Sequence, residues 1–419
     1  MEAHFEPVEG HRYSIQIVLL CVFIYVKTSC GLRTVVKILK IFEDVLGGSC
    51  GKAPAYTTVR NWMLKLGLSV YEEDKTSVQS YAVVLDESIT VNRQKLLLTL
   101  GIPSKHPGRP LEHHDATVLD MRVSDSNKKE DVKEVVETVV AKVGHDPDYS
   151  VSDGGHNLKG GLALAGIPHH LDVSHTLGNC MKAVYSEDPE FVKLTQKLGK
   201  IRLQYHLTDL GWLLPPNMRA IARFMNLSDW VEWGNRMLGV MDSLEPKARE
   251  AFSFLSEYKS LLEELDVCVK AIRHVETACK SRGFSLETYK ECFRYVVFNV
   301  IGNSNNRRAS LGIRIIDYLK KEASLLHLTA EAQSISSDII ESDFGILKSK
   351  MSPNKLYGFT SQILMLPLYP KIIDYSVADE QDFKVRLANV KLKRLDVWAK
   401  DKLPRNWVKD RAETLKKVG

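Results

Sequence analysis

Three carboxylates in three different settings carry the chemistry that this chain offers. Asp86 ends the apolar run Tyr81-Ala-Val-Val-Leu, Asp153 ends Tyr149-Ser-Val-Ser, and Glu341 lies in the amphipathic stretch Ser337-Asp-Ile-Ile-Glu-Ser-Asp-Phe-Gly-Ile-Leu-Lys348. Two strand-end aspartates and one helix glutamate are the ligands that a two-metal phosphoryl-transfer site requires. Such hard oxygen donors suit Mg²⁺, which binds through a few carboxylates plus substrate phosphate, and two ions roughly 3.5–4 Å apart clamp the attacking and leaving oxygens. Taken singly, a strand-end Asp is more often a turn or cap residue and a helix Glu a solvated one.

The surrounding pattern predicts the elements that would position them. Tyr81–Asp86, Lys95–Ile102 and Asp115–Val123 are consecutive apolar runs with short links, which predicts an antiparallel meander. Lys129–Val143 has helical periodicity, and Tyr149–Ser152 and His169–Val173 are two further short strands. Gly154 and Gly155 allow the chain to turn tightly beside Asp153, whereas the spacing of Gly154-Gly-His-Asn-Leu-Lys-Gly-Gly161 fits neither a P-loop nor a dinucleotide fingerprint.

On Val83-Val-Leu-Asp-Glu-Ser88, Val151-Ser-Asp-Gly-Gly-His-Asn-Leu158 and Ile340-Glu-Ser-Asp-Phe-Gly-Ile-Leu-Lys348, the chain resembles the DDE transposases of insertion sequences. The resemblance covers roughly residues 80–180 and 335–365. It implies a ribonuclease-H-like mixed sheet with flanking helices, in which the first and fourth strands lie side by side and bring Asp86 next to Asp153. It also implies Asp86, Asp153 and Glu341 as catalytic metal ligands, holding two Mg²⁺ ions for which Mn²⁺ substitutes. In that family a Lys or Arg commonly follows the glutamate by seven residues, and Lys348 stands there; two helical turns put both side chains on one face. Some relatives carry Tyr and Arg seven and four residues before the glutamate, where this chain has Ser334 and Ser337.

The resemblance implies transposition of a mobile element: hydrolysis of a strand at the element end, then attack of the freed 3′-hydroxyl on target DNA. The expected partners are double-stranded DNA, as terminal repeats and target, and further copies of the chain in a homodimer or higher assembly. Two alternatives remain open on sequence: a non-catalytic DNA-binding regulator derived from a transposase, and a ribonuclease-H-like structure-specific nuclease.

Composition bounds these readings. A chain of 419 residues is expected to form two to four domains, and its 44% hydrophobic and 26% charged residues are those of an ordinary globular protein. Seven cysteines without a CxxC pair fit a disulfide framework badly and suggest a reducing cytosol, with association to the nucleoid if the host is prokaryotic. The apolar stretch Ile15–Val26 is short for a membrane span of about 20 residues and is read as a buried helix. Net charge is only +5, yet from Lys384 to Gly419 twelve Lys or Arg face four Asp or Glu, an excess of +8. That basic segment, with Trp398 and Trp407 interleaved, fits either a phosphate-tracking surface or a helix pair whose tryptophans pack on the body.

The expected organisation is a helical, helix-turn-helix-like DNA-binding domain over 1–75, the first part of the ribonuclease-H-like core over 76–187, an all-helical insertion over 188–332, the final core helix region over 333–375, and the basic segment over 376–419. Within the first, helices are expected at 13–29, 31–46 and 57–67, the last ended by Gly67 and offering Arg60, Asn61 and Lys65 to DNA. Arg307 and Arg308 form a candidate phosphate-contacting loop, and Trp212, Trp230 and Trp233 with Arg219 and Arg223 a candidate base-stacking surface. His175, Asn179 and Lys182 fall on one helical face after the last strand and are expected to support the metal site. Adjacent histidines in a strand point to opposite faces, and no cysteine has ligand spacing with pairs such as His113-His114 and His169-His170, which argues against structural zinc.

Overall fold

The computed structural model describes residues 8, 10–45, 52–89, 94–217, 224, 227–302, 305–326, 331–351, 358–372, 378–404 and 407–418. Contacts divide the chain into two compact units. One comprises Met1–Ser104, Leu111–His169 and Ser337–Gly419; the other comprises Lys105–Pro110 and His170–Ser336.

The first unit opens with helices α1 (Ile15–Lys27), α2 (Leu32–Val45) and α3 (Tyr56–Tyr71). Strands β1 (Tyr81–Ile89), β2 (Lys95–Pro103) and β3 (Thr117–Ser124) follow, then α4 (Lys129–Val143), β4 (Ser150–Ser152), α5 (His156–Ala165) and β5 (His169–Leu171), of which His169 is the last residue of this stretch of the first unit. The five strands form one mixed sheet in the order β3-β2-β1-β4-β5, with β1–β2 and β2–β3 antiparallel and β1–β4 parallel. The sheet thus contains the expected meander, with two boundary shifts. His113–Asp115 coil into a single 3₁₀ turn, so β3 starts at Thr117. The last strand stops at Leu171 because Asp172 becomes a helix cap, its Oδ1 accepting from the His175 amide at 2.7 Å.

Alternation along the strands assigns each side chain to one of two apolar layers. Tyr81, Val83 and Leu85 pack with Val132, Val136 and Val139 of α4 and Leu158 and Leu162 of α5. Ala82 and Val84, with Leu96, Leu98 and Leu100 of β2, pack on the opposite side with α1 and α3. A sheet covered on both faces explains why the β2 sequence Leu96-Leu-Leu-Thr-Leu100 is almost unbroken in apolar character. The stretch Ile15–Val26, read as a buried helix, is α1 within this core, and no described helix is long and apolar enough to cross a membrane.

Helix α3 departs from expectation. It continues past Gly67 to Tyr71, and Trp62, Met63, Leu66 and Leu68 are buried in the same core as the sheet. Gly67 is a packing residue here: a Cβ at that position would lie 1.9 Å from the carbonyl oxygen of Leu364, in the 3₁₀ segment Ser361–Leu368 that crosses the helix. No unit boundary falls at residue 75.

In the second unit, α6 (Val173–Tyr185), α7 (Pro189–Tyr205), α8 (Leu227–Val240), α9 (Pro246–Phe252), α10 (Lys259–Arg282), α11 (Leu286–Val296) and α12 (Asn306–Leu325) surround a core of its own that includes Tyr185, Phe191, Leu261, Val275 and Ile315. The helical segment expected over 188–332 lies inside this unit. The chain then re-enters the first unit with α13 (Asp338–Lys350), α14 (Glu380–Asn389), α15 (Leu392–Lys402) and α16 (Trp407–Val418).

Gly67→Ala is therefore expected to destabilise the first unit by about 2–4 kcal/mol, because backbone rather than a flexible side chain blocks the added methyl. Gly345→Ala, at an open position inside α13, is expected to be neutral or stabilising by up to about 1 kcal/mol. Urea unfolding of the two variants against the parent chain measures both; equal midpoints for the pair would contradict the assignment of Gly67.

Candidate active site

The register of the β1–β4 pair places the two aspartates. Val83 lies opposite Ser150 and Val84 opposite Val151, with the Val83 amide donating to the Tyr149 carbonyl at 3.0 Å. Carried two residues further, the same parallel register sets Asp86 opposite Asp153, which is one residue beyond the end of β4. By alternation Asp86 belongs to the face of Ala82 and Val84, and Val151 packs in that same layer. Both carboxylates are partly exposed. Asp86 Oδ1 accepts from the Glu87 amide at 2.7 Å, and Asp153 Oδ1 accepts from the Gly155 amide at 2.8 Å. Gly154 takes φ +80°, a left-handed conformation that spares glycine the steric cost of a side chain, and so provides the expected turn after Asp153.

Glu341 stands in the first turn of α13, and that helix packs on β1. Ile340, Phe344 and Leu347 bury its inner face in the layer that holds Ala82, Val84 and Val151. Glu341 itself is half-exposed, and Lys348 is exposed with its ammonium 5.9 Å from the Phe344 ring centroid. Two contacts fix how α13 is rotated about its axis. Near its end, Lys350 donates to the carbonyls of Tyr25, Thr28 and Cys30, capping the C-terminal end of α1. At mid-helix, Asp343 is 2% exposed and lies 2.9 Å from His113 Nδ1. Burial pushes the Asp343 carboxyl up, and the imidazole beside it opposes that rise.

His113 Nε2 is also 3.3 Å from Ser342 Oγ, so Ser342, His113 and Asp343 form a chain of the kind seen in hydrolases. Ser342 is inside a helix, with its own amide committed to the helix ladder and so not available as an oxyanion donor. The chain belongs to the packing of α13. It borders a cavity of about 380 Å³ lined in part by Lys27, Glu112, Asp338 and Tyr369. Sequence reading considered His113 only as a zinc ligand, and no spacing signal links it to Asp343, 230 positions later.

Among the described residues, no three or more His, Cys, Asp or Glu gather into a group that would hold a metal ion on its own. The donors nevertheless suit Mg²⁺ chemically: all are carboxylate oxygens, and this ion is usually bound by one or two carboxylates plus waters and substrate phosphate, without an all-protein cage. Asp86 and Asp153 would supply paired carboxylates; Glu341 is not gathered with them into a three-ligand group.

The other predicted residues lie as follows. Arg60 is exposed and Asn61 half-exposed on α3, but Lys65 faces inward, 8% exposed, with its ammonium 3.2 Å from His11 Nε2; burial lowers its pKa. It faces inward because the apolar residues on both sides of it press α3 into the core. Arg307 does not form a free phosphate-contacting loop: it holds Glu264 at 2.7 Å, Glu190 at 2.9 Å and Asp188 at 3.1 Å, and these acids raise its pKa, while against the cost of burial the Phe191 amide and Arg307 hold that of Asp188 low. Arg308 donates to the Asn299 carbonyl at 2.8 Å. His175 Nδ1 lies 3.0 Å from Asp172 Oδ1, while Asn179 and Lys182 are exposed on α6; all three belong to the second unit. Trp230 and Trp233 donate to the Pro216 and Leu213 carbonyls, whereas Trp212 is 81% exposed. Arg219 and Arg223 lie outside the described residues. Trp398 is buried edge-on to Tyr71, which leaves the exposed lysines and arginines of α15 and α16 as the basic surface; the side chain of Trp407 lies outside the described residues.

No protein-family model matches this sequence, and no curated protein is significantly similar to it.

Because Glu264 is 5% exposed and Arg307 is its charge partner, Arg307→Met is expected to lower stability by about 2–4 kcal/mol, leaving the buried carboxylate with only the neutral donors of Tyr185 and Asn305. Urea unfolding followed by circular dichroism measures it, and a loss below about 1 kcal/mol would show that the arginine is not structural.

Proposed function

We propose that the chain is a DDE-type DNA transposase, a metal-dependent nuclease and strand transferase. The observation that carries the reading is the β1–β4 register, which aligns Asp86 with Asp153 on a sheet against which the helix of Glu341 packs. The strand order β3-β2-β1-β4-β5, with three antiparallel strands and β4 parallel to β1, supports the ribonuclease-H-like fold that the sequence resemblance implies.

In this reading Asp86 and Asp153 would hold Mg²⁺ ions, and Glu341 would have to be drawn in to complete the ligand set. The ions, when bound, supply an activated oxygen nucleophile and neutralise charge on the phosphate under attack. Lys348, exposed seven residues after Glu341 on α13, presents its ammonium to a neighbouring phosphate of the same strand. Water would open the phosphodiester at the element end, leaving a 3′-hydroxyl and a 5′-phosphate; that 3′-oxygen would then bond to a target phosphorus and expel the target's own 3′-oxygen, which leaves as a hydroxyl. Neither step needs a covalent protein–DNA intermediate. Arg60 and Asn61 on α3, with the basic surface of α15 and α16, are the proposed duplex contacts, and pairing of two ends calls for at least a dimer. The proposed location is the cytoplasm, on the nucleoid if the host is prokaryotic.

Asp86→Asn and Asp153→Asn are each expected to abolish Mg²⁺-dependent nicking and joining of DNA that carries the flanks of the coding region, while binding to those flanks changes by less than about threefold. Gel assays of nicking and of binding on one substrate read the two outcomes separately. Nicking retained in either variant would refute the assignment. A parent chain that binds the flanks but never nicks in Mg²⁺ or Mn²⁺ would instead establish the non-catalytic regulator.

A further inference from the structure

Helix α2 packs on the core through Val35 and Leu39, with Leu32, Val36 and Ile38 partly buried against it, and still carries apolar side chains beyond that contact. Val35 and Leu39 are buried at 0 and 3% exposure in the core of the first unit. About a quarter-turn round the helix, Ile38, Ile41, Phe42 and Val45 recur at i, i+3, i+4 and i+7, so they form a continuous second stripe. Ile38 is half-buried, but Ile41, Phe42 and Val45 are 57, 37 and 75% exposed. Single exposed apolar residues are ordinary, whereas a stripe in register with the helix marks a contact surface.

The charges beside the stripe specify what covers it. Lys37 and Asp44 are both exposed and seven residues apart, so they stand on the same flank, one at each end of the stripe. Along the axis the sign reverses: Arg33, Lys37 and Lys40 come first, Glu43 and Asp44 last. A parallel copy of α2 would set like charge against like. An antiparallel copy, related by a two-fold axis near Ile41, would set Lys37 against Asp44 of the second copy twice, which is how flanking charges fix orientation in paired helices.

We propose that α2 pairs antiparallel with α2 of a second copy of this chain through Ile38, Ile41, Phe42 and Val45, with reciprocal Lys37–Asp44 ion pairs. This contact gives the dimer invoked for end pairing a location, and it is argued from α2 alone. One four-turn helix pair covers less than the roughly 1,200–2,000 Å² of a stable complex, so a Kd on the order of 10 µM is expected.

Sedimentation equilibrium of the full chain, without DNA or divalent metal, tests the pairing. The average mass should climb from 47.3 kDa toward twice that value as concentration rises. Ile41→Glu with Val45→Glu should remain monomeric with an unchanged melting temperature, since both side chains are already exposed. Lys37→Asp and Asp44→Lys should each weaken association by about tenfold, and the two together in one chain should restore it. A parent chain that stays monomeric at about 100 µM would overturn the proposal. So would normal association of the double glutamate variant, a fall in its melting temperature showing that the chain itself covers the stripe, or failure of the paired charge swap to restore association. Strand cleavage is measured separately, so a chain that dimerises without nicking, or nicks without dimerising, distinguishes this contact from the transposase reading.

Discussion

The parallel pairing of β1 with the three-residue strand β4 is the constraint on which the site depends. β4 touches β1 at only two registered pairs, yet those pairs decide which residue stands beside Asp86. Because side chains alternate with a period of two, a slip of one residue would turn Asp153 to the other face and place Ser152 or Gly154 opposite Asp86. Several contacts hold the register against such a slip. The Asp148 amide donates to the Tyr81 carbonyl, the Ser150 amide and hydroxyl both donate to the Pro168 carbonyl, and Val151 is fully buried. Each is modest alone, but together they make the slipped register lose hydrogen bonds and apolar burial at once.

The third carboxylate depends on a different kind of restraint. A helix laid on a sheet can roll about its axis more easily than a strand can slip, so Glu341 needs α13 to be held rotationally. Ile340, Phe344 and Leu347 provide the apolar part of that hold, and Asp343 at mid-helix and Lys350 at the C-terminal end provide the polar part. A buried carboxylate such as Asp343 is an expensive device, tolerable only because His113 faces it. Together these contacts direct Glu341 and Lys348 away from the apolar layer.

What the sequence made legible, and what it did not, follows from the range of the interactions. The strands and α4 were readable because alternation and helical periodicity are local, and Gly154 announced the turn after Asp153. The pairing of β1 with β4 was foreseen through family resemblance, since nothing local identifies which strands are neighbours. The misread elements are those in which tertiary contact overrides a local signal. Gly67 resembles a helix terminator but serves the close passage of Leu364, nearly three hundred positions away. Lys65 and Arg307 look like free cations in a linear chain, but one is enclosed by the apolar residues around it and the other is occupied by Asp188, Glu190 and Glu264. The His113–Asp343 pair left no trace in spacing at all.

The layer beneath the sheet is completed by residues from opposite ends of the chain: α1 and α3 from the beginning, and α13 and the Ser361–Leu368 segment from beyond residue 336. On a ribosome the early helices emerge long before the late segment against which Gly67 is fitted, and their apolar sides must wait for it without a permanent cover. A prematurely stopped chain would therefore lack more than its glutamate. It would also lack the floor beneath β1 and β4, so partial products of synthesis have no means of holding Asp86 and Asp153 in register.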